Sequence, residues 1–413
     1  MNDPSNPRPA RARSVGFISI IVLACCCGPW GFARCETIAE GELAAALKAL
    51  KAVGPKGAGT AGATKAWRKI STASAKDLPV ILVAFDDAGP LAANWLRAAV
   101  DAIAERQLRA GDTLPQTELE AFVRGTEHAP RARRLAFEWL ARGDATAPDR
   151  MIPGFLHDPS VELRRDAVAR LLDQAAALLK AERPDDAREV FGKALSGARD
   201  LDQVKQLKTE LEKLGRKVEL PSHFGFIVEW KLIGPFDNTG EKGIDVAYPP
   251  EESIDLAAEY DGKPLQGEPR PVRWVEHATA DEYGIVDLNQ VLGKANGVLA
   301  YAYAEFESDQ RRPAELRLGR DDAAKIWLNG ELVHEHRVYH SGVDMDQYIA
   351  RGTLKKGRNR ILLKICQNEQ KEDWAQGWSF QLRVCDAAGT AILSKGREAP
   401  AGEAGRIEDF NQN

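Results

Sequence analysis

Two spacings of apolar residues divide this chain. From Glu36 to Val218 the spacing is helical. Leu43, Ala46, Leu47 and Leu50 fall at i, i+3, i+4 and i+7, and the same stripe recurs at Leu96, Val100, Ile103 and Ala104, then at Ala132, Leu135, Ala136, Trp139 and Leu140. Side chains so placed share one helix face, so each stretch predicts an α-helix with a buried side. The punctuation agrees. Gly54 to Gly62 holds four glycines and a proline and reads as a loop. Asp77-Leu78-Pro79 reads as a helix start with Asp77 as N-cap. Asp185-Asp186 opens another helix, carrying Ala187, Val190, Phe191, Ala194 and Leu195. The last uses Leu201, Val204, Leu207, Leu211 and Leu214 and stops at Gly215. Short helices joined by short turns predict a solenoid of helix pairs, with an irregular bundle as the alternative.

Past residue 224 the period falls to two. Ile227 to Ile233 is strand-like, and Val298 to Phe306 alternates Tyr301, Tyr303 and Glu305 with Ala302, Ala304 and Phe306. Ile326-Trp327-Leu328, Asn329-Gly330 and Leu332-Val333 spell a hairpin, because Asn-Gly supplies the positive φ angles of a type I′ turn. Ile361 to Cys366 is almost continuously apolar, as in a strand covered on both faces, and Trp378 to Val384 alternates again. About eight strands with no helical crossover predict two packed antiparallel sheets. The expected fold class is multidomain, α then β: an all-α helical-repeat domain followed by a jelly-roll β-sandwich. Its segments are a leader (1–35), the helical repeats (36–215), a linker (216–224), the sandwich (225–396) and a loose tail (397–413).

Two stretches carry family resemblances. His157-Asp158-Pro159-Ser160-Val161-Glu162-Leu163-Arg164-Arg165-Asp166-Ala167-Val168 resembles a HEAT repeat, with a weaker copy over Asp87 to Val100, while Ala175 to Leu195 is closer to a tetratricopeptide pair. Leu318-Gly319-Arg320-Asp321-Asp322-Ala323-Ala324-Lys325-Ile326-Trp327-Leu328-Asn329-Gly330 resembles the galactose-binding-like jelly roll. Leu354-Lys355-Lys356-Gly357-Arg358-Asn359, Ile361 to Ile365, Trp378 to Arg383 and the opening Trp230 to Phe236 match that family in order. The resemblance implies an accessory carbohydrate-binding type of domain. It says little of the ligand, since most matched residues also have structural uses.

The leader modifies this picture. Arg8, Arg11 and Arg13 precede an apolar run from Val15 to Ala24, near ten residues where a spanning helix needs about 20. This reads as a secretory signal, leaving no transmembrane span in the mature chain. Val22-Leu23-Ala24-Cys25 resembles a lipobox, and Gly31-Phe32-Ala33 and Ala33-Arg34-Cys35 offer ordinary cleavage sites. The expected location is extracytoplasmic, periplasmic or secreted, with a lipid anchor at Cys25 as one exit. Of six cysteines only Cys366 and Cys385 fall in the folded part, so they either pair or remain buried thiols. With 56 Lys and Arg against 61 Asp and Glu, the net charge is −5, which argues against a nucleic-acid partner.

Candidate chemistry is sparse. Asp321-Asp322, beside a strand, can supply oxygen ligands to calcium, with a solvated or turn-capping role as the alternative. A similar aspartate pair binds calcium and sugar in PA14-type adhesin domains, but Ala323 stands where that motif has glycine. His334, His336 and His340, near Asp344 and Asp346, lack the spacing of a zinc hydrolase. Tyr301, Tyr303 and Trp374 offer rings for stacking on sugars; Trp374 lies in a polar loop, where a core tryptophan is less expected. Gly57, Gly59 and Gly62 spell GxGxxG without the strand that a dinucleotide site requires. The expectation is an exported, non-catalytic binding protein. Its sandwich takes a carbohydrate or another cell-envelope component, and its helical repeats offer a surface to a protein partner. The alternatives are a scaffold that binds no sugar and a metal-dependent hydrolase at the histidines.

Overall fold

The computed structural model describes residues 38–264, 267–268 and 270–397. The leader, with its lipobox at Cys25, and the tail past Arg397 lie outside the described residues. The chain is α then β, as the two periods require.

Eleven α-helices run from Glu40 to Phe224: α1 Glu40–Lys51, α2 Thr60–Ile70, α3 Leu78–Val83, α4 Pro90–Arg109, α5 Gln116–Arg124, α6 Pro130–Gly143, α7 Ala147–Met151, α8 Val161–Lys180, α9 Pro184–Gly197, α10 Leu201–Lys213 and α11 Leu220–Phe224. Neighbours in sequence pack as pairs, α1 on α2, α5 on α6 and α8 on α9. Each stripe read from the sequence is buried, Leu50, Leu96, Ile103 and Leu140 with no exposure at all. The N-cap before α3 is a correction. Ser74, not Asp77, is the capping residue: its Oγ accepts from the Lys76 N–H at 3.3 Å, while the Asp77 carboxylate reaches back to the Ser74 N–H at 3.1 Å.

The Asp158-Pro159 turn is fastened to α6. Arg133 on α6 is fully buried and forks onto Asp158, Nη1 to Oδ1 at 2.8 Å and Nη2 to Oδ2 at 2.6 Å, while its Nε donates to the Val123 carbonyl at 2.8 Å. Asp158 also accepts from the Ser160 N–H at 2.8 Å, so one carboxylate sets the turn and ties two helices.

Twelve strands follow: β1 Glu229–Asp237, β2 Glu259–Asp261, β3 Pro271–Arg273, β4 Val275–Ala278, β5 Val286–Asp287, β6 Val298–Ser308, β7 Arg312–Arg320, β8 Ala324–Leu328, β9 Glu331–His336, β10 Tyr348–Leu354, β11 Gly357–Gln367 and β12 Ser379–Cys385. They form an antiparallel six-stranded sheet, β4-β1-β6-β11-β8-β9, and a four-stranded sheet, β10-β7-β12-β5, with β2 and β3 as a separate ribbon. Leu316, Leu318, Phe380 and Leu382 from one sheet meet Ala302, Ile326, Leu363 and Ile365 from the other in one core. The Asn329-Gly330 turn has φ of 56° and 87°, as a type I′ hairpin demands. β11 lies between β6 and β8, which accounts for its unbroken apolar run.

The outer face of the six-stranded sheet carries a further apolar layer of Ile233, Phe236, Ile244, Leu299, Tyr301 and Cys366. It is roofed by the excursion between β1 and β2, which includes a one-turn helix, α12 (Pro249–Glu252). Cys366 and Cys385 are both buried free thiols, on β11 and β12 of opposite sheets, so the pairing alternative is excluded. Burial pushes their thiols up to about 12 and about 11.

The segment expected to be a linker is packed instead. Leu220, His223 and Phe224 of α11 are buried, and Phe224 and Phe226 join the helical core together with Tyr283 and Met345. Arg383 of β12 donates to the Phe224 carbonyl at 3.1 Å and pairs with Asp346, which also takes Arg317 Nη1 at 2.7 Å. The two halves are therefore joined through apolar contact and a buried ionic network.

Candidate functional site

At one end of the sheets, loops from several strands converge around Trp374. This residue sits in a short turn, Asp373–Ala375, between β11 and β12. It is 68% exposed, the most open of the large apolar side chains among the described residues. Its ring stands edge-on to His340, centroids 5.2 Å apart and planes at 76°. His340 is fixed from both sides. Asn368 Nδ2 donates to His340 Nε2 at 3.0 Å, so the ring proton is on Nδ1, which faces Asp322 Oδ1 at 3.5 Å. Asp322 Oδ1 also accepts the His340 backbone N–H at 2.8 Å.

Polar side chains surround the tryptophan. Glu241 and Gln370 accept from the same Asn368 amide, at 3.4 and 3.3 Å. Glu369 accepts from the Gly240 N–H at 2.7 Å, and Gln376 Nε2 donates to the Gln370 carbonyl at 2.7 Å. Beneath them the fully buried Asn238 donates to the Tyr339 hydroxyl at 3.2 Å and the Gln367 carbonyl at 3.1 Å. Glu241, Asn368, Glu369, Gln370, Lys371 and Glu372 line a shallow depression of about 560 Å³. An exposed ring on the same loop as these bonded amides and carboxylates can stack on a sugar ring while they orient its hydroxyls.

The adjacent aspartates diverge. Asp321 Oδ2 accepts from Ser379 Oγ at 2.7 Å, whereas Asp322 points inward with no exposure and its Oδ2 has no partner among the described residues. Burial pushes the Asp322 carboxyl up to about 6 against the opposing pull of the His340 N–H. A carboxyl so enclosed cannot touch a surface ligand. Among the described residues there is no group of three or more His, Cys, Asp and Glu that could hold a metal ion.

The two tyrosines part from Trp374. Tyr301 is wholly buried under the roof, its hydroxyl on Glu251, and Lys364 beside it donates to the same carboxylate at 2.7 Å. Tyr303 is 3% exposed and donates to Glu305 at 3.0 Å; burial, with that carboxylate, pushes it up to about 12. It forms a wall of a cleft of about 520 Å³ with Glu229, Lys231, Glu276 and His277, on a different face from Trp374. The structure thus retains Trp374 at an open surface and takes Tyr301 out of consideration as a ligand contact. The strand period placed Tyr301 and Tyr303 correctly on one face, but could not show that a distant excursion covers it. His340, Asn368 and Glu241 were not read as partners of Trp374. The only signal was a polar composition shared by two loops more than a hundred residues apart.

No protein-family model and no curated protein matches the chain. Among solved structures it is similar to a beta-glucosidase from Kluyveromyces marxianus, with 11% identity over 69% of this chain and 36% of that one and a TM-score of 0.25. It is also similar to an uncultured Clostridium sp. beta-glucuronidase, with 16% identity over 39% and 28% and a TM-score of 0.25. An anti-sigma factor domain-containing protein shows 12% identity over 43% and 51%, with a TM-score of 0.20. The chain spans less than two thirds of the length of each, and likenesses at these scores assign no activity. They do correct one expectation. Several of these neighbours are glycosidases, so the reading of the chain as an exported, non-catalytic binding protein is withdrawn. No helix among the described residues is long and apolar enough to cross a membrane.

Proposed function

We propose that the sheet half is a carbohydrate-related domain and that the loop surface around Trp374 contacts a saccharide. The observation that carries this is the indole, 68% exposed yet edge-on to His340, which Asn368 and Asp322 hold in place. An open ring usually costs solubility without return; a ring held rigidly among amides and carboxylates is a ready stacking platform. The ordered motifs from Trp230 to Arg383, two facing sheets, and the Asn329-Gly330 hairpin at the edge of the six-stranded one support a galactose-binding-like jelly roll. Paired helices and the Arg133–Asp158 tie at an Asp-Pro turn support HEAT-type repeats in the helical half.

Calorimetric titration of the full chain with a panel of neutral and acidic oligosaccharides tests the reading. Trp374→Ala should weaken binding roughly tenfold or more while leaving thermal unfolding in place. A panel without a binder, or a Trp374→Ala protein that binds as tightly as the parent, would overturn it. Sugar release measured on the same panel shows whether the bound saccharide is also cleaved.

A further inference from the structure

A second group of side chains lies where the edge strands β9 and β10 face each other, and the Trp374 surface does not use it. Arg320 ends β7 with its guanidinium inside the sandwich and no exposure. Nη1 donates to the Val338 carbonyl at 2.8 Å, Nη2 donates to His336 Nδ1 at 2.7 Å, and the group lies 4.5 Å over the Tyr348 ring. Its Nε has no partner among the described residues. His334 and His336 project from one face of β9 with parallel rings 6.3 Å apart, and both lean on Tyr348, at 5.6 and 4.3 Å. His334 Nε2 is buried and has no partner among the described residues.

The Arg320 guanidinium is not closed by a hydrogen-bonded ion pair. A guanidinium stays protonated in proteins, and Arg320 bonds to a carbonyl and an imidazole rather than to a carboxylate. Asp322 is near enough to interact with it, but its Oδ1 is committed to the His340 N–H. Burial, with Arg320 nearby, holds both His334 and His336 below the ordinary histidine range, so they are neutral near pH 7. Because His336 Nδ1 accepts from Arg320, its proton sits on Nε2 and is available to donate. Three half-buried side chains, His334, His336 and Tyr348, separate the guanidinium from solvent.

We propose that this seam binds a small carboxylate, which takes N–H donors from His334 and His336 in the field of Arg320. The two oxygens of a carboxylate match the two imidazole N–H donors, whereas a phosphate dianion would bring a second negative charge to a place where Asp322 already opposes Arg320. The site is separate from the Trp374 surface and stands whether or not that surface holds a saccharide.

The test follows the imidazole ¹⁵N resonances of the full chain at pH 7 while sodium acetate replaces sodium chloride at constant ionic strength. Acetate should shift His334 and His336 saturably, and more tightly than inorganic phosphate does. His336→Leu should weaken the response of His334 at least tenfold. Asp322→Asn, which removes the opposing charge and keeps an oxygen for the His340 N–H, should tighten it. Trp374→Ala should leave the titration unchanged. Shifts that rise linearly without saturation, a tighter fit to phosphate, or loss of the response in Trp374→Ala would each overturn the proposal. Should His336→Leu fail to fold, the parent titration decides alone.

Discussion

The helical half and the sheet half each bury an arginine completely, and they treat it differently. Arg133 meets a forked carboxylate, Asp158, and a carbonyl, so its charge is matched at the spot where it is buried. Arg320 meets a carbonyl, an imidazole and a ring, while the nearest acid bonds elsewhere. The first arrangement is structural: the ion pair is closed and fastens one helix pair to the next. The second is open, with donors remaining for something else. A buried charge closed by hydrogen bonds to an acid therefore marks a joint, and one with donors to spare marks a place to look for a ligand.

The comparison can be broken most forcefully at Arg133. Arg133→Ala leaves Asp158 buried without its partner and should destabilise the protein by about 3–5 kcal/mol, read from denaturant unfolding. A loss below 1 kcal/mol would show that the closed pair is not a joint. Asp346→Asn comes next. It removes the shared acid of Arg317 and Arg383 where the sheets meet α11, and should cost about 2–3 kcal/mol. That variant should also raise protease sensitivity between the two halves.

Asp322 gives a pH test in the open half. Its folded carboxyl titrates near 6 against an ordinary 3.8, so between those values the folded state holds more protons than the unfolded one. Its contribution is thus most favourable below about pH 4 and is lost as pH rises through about 6. Asp322→Asn should flatten that part of the stability–pH curve and leave the curve above pH 7 parallel to the parent's. An unchanged slope would mean that the carboxyl is not held as its burial requires. The smallest stability effect belongs to Trp374→Ala, within about 0.5 kcal/mol, because an exposed ring contributes little packing.

Much of the architecture was legible along the chain. The helical stripes, the change of period near residue 224, the Asn329-Gly330 hairpin and the doubly covered β11 all follow from local spacing. Three readings failed for non-local reasons. Tyr301 alternates like a half-exposed strand residue, yet the excursion after β1 roofs that face. Residues 216–224 have linker composition, yet Leu220 and Phe224 are drawn into the helical core. Asp321 and Asp322 look like a paired ligand, yet adjacent residues at the end of β7 turn to opposite sides.

The sequence by itself determined which segments are helices and which are strands, because periodicity and turn residues act within a few positions of one another. The tertiary structure alone decided which polar groups meet. Asn238, Asp322, His340 and Asn368 are separated by up to 130 positions and meet only because two sheets end at the same loops. Whether a buried charge is answered, as at Arg133, or left open, as at Arg320, depends on what the fold brings alongside it. Neither residue's neighbours in the chain carry that information.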